Sequence, residues 1–77
     1  MYNTGTDIKA ALAKRNLTKL WLLNQLANTE NKWEMSAPTL SAILSDSYSN
    51  KDKAAAVIID AGKILDMYDS AFEKKEV

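Results

Sequence analysis

The chain has 77 residues, and its ten basic side chains balance ten acidic ones, so the formal net charge is zero. That length bounds it to one domain, which buries only about 60% of its unfolded surface. With neither Cys nor His, it lacks a disulfide framework, the commonest metal ligand and the commonest general base.

Two Gly, one Pro and no clustering of β-branched or aromatic residues exclude a strand-rich chain and predict an all-α fold. In chain order, residues 1–5 are polar, and Thr6 or Asp7 is positioned to cap a first helix over residues 6–16. Ile8, Ala11, Leu12 and Arg15 share a face of it, with the Arg15 stem on the core and its head in water. Thr18 reads as the N-cap of a second helix running to about Asn28, with Leu17 and Leu22 at the staple spacing. Leu22, Leu23 and Leu26 form its apolar stripe.

Residues 28–35 are a polar connection carrying Trp33, whose bulk is expected to pin the loop to the domain, at least half buried. Ser36 caps a third helix that ends near Asp46; Pro38 suits its first turn, where a missing N–H costs little. Leu40, Ile43 and Leu44 make its apolar back, whereas Ala37, Thr39, Ser41, Ala42 and Ser45 make a smooth, small front. After a polar hinge, a long helix over residues 51–75 carries Ala54, Ile58, Ala61, Leu65, Tyr68 and Phe72 at alternating spacings of four and three. Three short helices can cover about half of that stripe. The remainder, around Leu65, Tyr68 and Phe72, either forms a homodimer interface or is folded back onto the core by a bend at Gly62.

Charge is uneven along the chain. Residues 1–29 hold Lys9, Lys14, Arg15 and Lys19 against Asp7 alone, whereas residues 30–49 hold Lys32 against Glu30, Glu34 and Asp46. Carboxylates lie beside lysines, as in Asp52–Lys53 and Glu73–Lys74, the pattern of solvated helix faces. Asp66 and Asp69, three residues apart, are too few ligands for a hard-metal cage. The expectation is a non-enzyme with no metal and no small-molecule cofactor. No apolar run approaches the roughly 20 residues of a membrane span, and no signal pattern opens the chain, so a cytoplasmic protein without membrane contact is expected.

The segments Leu17–Ala27 and Met35–Asp46 resemble the helix-turn-helix of the lambda-repressor/Cro family, with its second half patterned Ser-x-x-Thr-Leu-Ser-x-Ile-x-Asn-Gly. Leu17, Thr18, Leu22, Leu26, Ser36, Thr39, Leu40, Ser41 and Ile43 match, and the resemblance spans residues 6–50. It implies a single domain over residues 1–77: a four- to five-helix bundle with a helix-turn-helix core and a long C-terminal helix. It also implies operator DNA as partner, with residues 36–46 as the recognition helix. Thr18 and Lys19 would meet a phosphate, Ala37, Pro38, Thr39 and Ser41, with Ala42 alongside, the base edges, and Ser47, Asn50 and Lys51 the flanking backbone, Ser36 also belonging to the DNA-binding set.

The chain departs from the family pattern in its long inter-helix turn, its neutral charge, and an Ala at position 42 where a long polar side chain is usual. Its third helix has no Arg, Lys, Asn or Gln, the side chains that make bidentate base contacts. Those departures motivate the alternative of an antirepressor or modulator that docks on a repressor protein, as some small temperate-phage regulators do.

Overall fold

The computed structural model describes residues 2–75, with side chains through residue 71. Four helices make up the fold: α1 Gly5–Lys14, α2 Lys19–Ala27, α3 Ala37–Leu44 and α4 Lys51–Lys75. α1 and α2 each pack against both α3 and α4. At 1.5 Å per residue, α4 is about 37 Å long, close to the 43 Å longest extent of the molecule. Among the described residues no helix is long and apolar enough to cross a membrane.

Local signals start and stop the helices. Thr18 and Ser36 cap α2 and α3, as their sequences predict. α1 begins earlier than its sequence suggests: Thr4 is the N-cap, its side chain accepting the Asp7 N–H at 3.1 Å. Asp7 reaches back to accept the Asn3 and Thr4 N–H groups, so it completes a capping box instead of capping directly. α1 and α3 end alike. Asn16 and Asp46 follow the last turn at φ 57° and 59°, the left-handed region that short polar residues tolerate. At α1 the Leu17 N–H returns to the Leu12 carbonyl at 2.9 Å, and at α3 the Ser47 N–H returns to Ala42 at 3.0 Å.

The core draws on every helix: Ile8 and Leu12, Leu22 and Leu26, Leu40, Ile43 and Leu44, and Val57, Ala61 and Leu65. Leu65 is 0% exposed, which removes it from the dimer interface and meets the alternative that this part of the stripe lies on the core, although without the expected bend at Gly62. α2 covers more of α4 than three short helices were expected to reach, so this residue faces the chain's own interior. Tyr68 is half-buried, its ring meeting Trp21 edge-on at 5.6 Å and 77°, so Trp21 covers the core edge. The Phe72 side chain lies outside the described residues. α4 is continuous through Gly62, which marks a close approach instead of a break: a Cβ there would stand 3.2 Å from the Tyr2 ring.

Two polar ties fasten α1. The Arg15 head is not left to water but grips Asp69 with two hydrogen bonds, of 2.8 and 2.7 Å, while its third nitrogen donates to the Ala11 carbonyl. At the other end, Asp46 accepts the Gly5 N–H at 2.7 Å and the Thr6 hydroxyl at 2.7 Å. Hydrogen bonding to Arg15 lowers the Asp69 carboxyl below the usual range; the Thr6 hydroxyl, then the Gly5 N–H, lower that of Asp46. Gly5 is required there, because a Cβ would overlap the Ile43 carbonyl and come within 2.7 Å of the Leu44 Cα.

Two outcomes follow for equilibrium unfolding. Gly5→Ala should lower stability by at least about 2 kcal/mol, since backbone must move to admit the methyl group; an unchanged denaturant midpoint would contradict the packing. A carboxyl with a lowered folded pKa stabilises above its unfolded pKa, and that stability is lost as pH falls through the folded value. The double variant Asp46→Asn, Asp69→Asn should therefore lose stability near pH 7 and show a flatter decline on acidification than the wild type.

Candidate nucleic-acid interface

The residues singled out by sequence gather along one path from α2 through α3 to the start of α4. Thr18 is exposed, and its hydroxyl accepts the Trp21 N–H at 3.0 Å. Lys19 follows, exposed, and its ammonium reaches across to the Ser41 hydroxyl at 3.1 Å, joining the first turn of α2 to the middle of α3. At the start of α3 the Ser36 hydroxyl accepts the Thr39 N–H at 3.3 Å, and the two hydroxyls lie 3.0 Å apart. Ala37 and Pro38 are exposed, and Thr39, Ser41 and Ala42 are half-buried.

Past α3, the Ala42 carbonyl receives both the N–H and the hydroxyl of Ser47. Asn50 accepts the Lys53 N–H at 3.1 Å in the turn that opens α4. Lys51 donates to the Asp46 carbonyl at 3.3 Å. The outer surface of α3 is thus neutral and small, with one lysine tied to its middle and another to its C-terminal turn. Neither terminal turn of α3 carries a charged side chain, so the field at its start is that of the backbone N–H groups alone. The described residues contain no cluster of acidic side chains suited to a metal ion, and Asp69, half of the Asp66/Asp69 pair, is engaged by Arg15.

The long connection before α3 is held by a residue that the sequence left unremarked. Asp60 of α4 is a buried carboxylate, and its Oδ2 accepts the Trp33 indole N–H at 2.6 Å and the Asn31 side-chain amide at 2.7 Å. Trp33 is half-buried against the core, as its bulk suggested. Lys32, between the two donors, turns the chain at φ 47°, and the Trp33 N–H closes back on the Leu26 carbonyl at 3.1 Å. Nine residues therefore separate α2 from α3 without leaving the start of α3 untethered. Two signals were available: an acidic residue at the edge of an apolar stripe, and an indole N–H in need of an acceptor.

Asp60→Ala should release both donors at once, lowering stability by about 1–3 kcal/mol and speeding hydrogen exchange of the Trp33 indole. An indole signal that stays protected in that variant would show that the loop is held by something else. The chain matches no protein-family model, no curated protein and no solved structure.

Proposed function

We propose that this chain is a small transcriptional regulator that binds double-stranded DNA, with α2 and α3 acting as a helix-turn-helix and α3 as the recognition helix. The observation that carries the reading is how α3 is mounted. Leu40, Ile43 and Leu44 are buried behind it, Ser36 caps its start, and Ala37 and Pro38 stand exposed at its first turn. Asp46 adds support: it takes φ 59° at the position where the Cro-like pattern has Gly, a residue used where that conformation is needed. In this reading the first turn of α2, with Lys19, meets a phosphate, and Asn50 and Lys51 hold the backbone on the far side of the groove. Thr39 and the small residues beside it read thymine methyl groups and groove shape, the contacts open to a surface without long polar side chains.

A second reading has its own observation. Leu20, next to Lys19, is 63% exposed, and an apolar side chain beside a bare α3 suits another protein's surface as well as a groove. In that reading the chain is an antirepressor or modulator that docks on a repressor.

Electrophoretic band shifts separate these readings. Direct binding requires a sequence-dependent shift that weakens with salt. Lys19→Ala should weaken all sequences alike and reduce the salt slope by about one. Thr39→Ala should lower discrimination between related sites by about 1 kcal/mol with less effect on overall affinity. Absence of any shift at low salt and about 10 µM protein would overturn direct binding, since non-specific contacts alone reach that range. A stoichiometric complex with a purified repressor would then support the second reading.

A further inference from the structure

α4 carries two stripes of identical spacing. Ala54, Ile58, Ala61, Leu65 and Tyr68 face the core, and each has a counterpart two residues earlier: Asp52, Ala56, Ile59, Lys63 and Asp66. Two residues turn a helix by about 200°, so the second stripe lies on the opposite side. It is open to solvent: Asp52, Lys63 and Asp66 are exposed, Ala56 is half-buried, and Ile59 is 58% exposed. A β-branched apolar residue at its centre, between two charges of opposite sign, stands outside the hydrophobic core of the described residues.

We propose that this outer face of α4 is the surface through which two copies of the chain pair, with their α4 helices antiparallel. The order of charges selects the arrangement. Parallel helices in register would set Asp52 against Asp52, Lys63 against Lys63 and Asp66 against Asp66. An antiparallel pair with its two-fold axis level with the Val57–Ile58 bond sets Asp52 against the partner's Lys63 and Ala56 against the partner's Ile59, each contact occurring twice. Ala56 is small enough to let the helix axes approach to about 8 Å, so each Ile59 covers the other helix's alanine. The exposed ion pairs add little energy but fix direction and register. A contact this narrow belongs to the weak, concentration-dependent class of interfaces. It uses no residue of the α2–α3 surface and stands whether that surface meets DNA or protein.

Sedimentation equilibrium of the full chain tests the pairing. From about 10 µM to about 1 mM, a range bracketing weak association, the weight-average mass should climb from 8.6 kDa toward twice that value. Ile59→Arg should raise the dissociation constant at least about tenfold with little change in the melting curve of the dilute monomer, because the residue lies outside the core cluster. Lys63→Asp should weaken the pair as well, and adding Asp52→Lys to it should restore association. Three results would overturn the proposal: a wild-type chain that stays at 8.6 kDa throughout, a dimer indifferent to Ile59→Arg, or a charge swap that fails to restore what Lys63→Asp removed.

Discussion

Gly5 lets the first turn of α1 lie directly against the backbone at the end of α3, and Asp46 locks the two together by accepting the Gly5 and Thr6 N–H groups. The rest of the arrangement depends on this junction. α3 has eight residues, too short to persist as a helix on propensity, and holds its shape through its surroundings. Its N-terminus rests on Ser36, its inner face on the shared core, and its C-terminus on α1. The left-handed turn at Asp46 achieves two things with one residue. It ends α3, and it aims a carboxylate at free N–H groups of the neighbouring helix.

In the role proposed for α3, this mounting is what would let a surface so poor in functional groups be specific. The hydroxyls of Ser36 and Thr39 are turned toward one another, and Ser41 accepts from Lys19. The groups on offer are therefore few, but their positions are fixed. A contact surface of methyl groups and prearranged hydroxyls discriminates by shape, and shape needs a helix that does not move. A neutral chain attracts a charged partner weakly at long range, so in that role close fit would determine what binds.

What the sequence made legible was local. The caps at Thr18 and Ser36, the apolar faces of the short helices and the long fourth helix all depend on residues within a turn or two of one another. The start of α1 was displaced because Thr4, Thr6 and Asp7 are all competent to cap, and the choice falls on the pair that satisfies N–H groups reciprocally. The long-range ties were not legible. Asp46 reads as an ordinary loop residue until α1 arrives, and Arg15 reads as a solvent-facing cation until Asp69, 54 residues on, meets it. Leu65 stayed open between an interface and the core because a stripe's period says that it is buried without saying by what. The candidate surface followed the same division: which residues line α3 was readable, whereas the anchoring of the connection before it was not.

That anchoring couples parts of the chain that are far apart in sequence. One oxygen of Asp60 serves two donors from the α2–α3 connection, so Asn31 and Trp33 are energetically coupled to a helix that begins 18 residues after Trp33. Loss of either donor leaves the carboxylate with the other, whereas loss of the acid strands both; their energies are accordingly non-additive. A longer connection between two helices is cheap in chain entropy, but a rigid one needs an acceptor elsewhere in the fold. The extended turn and Asp60 therefore work as a unit: moved into another helix pair without its acid, the same loop would keep its length and lose its shape.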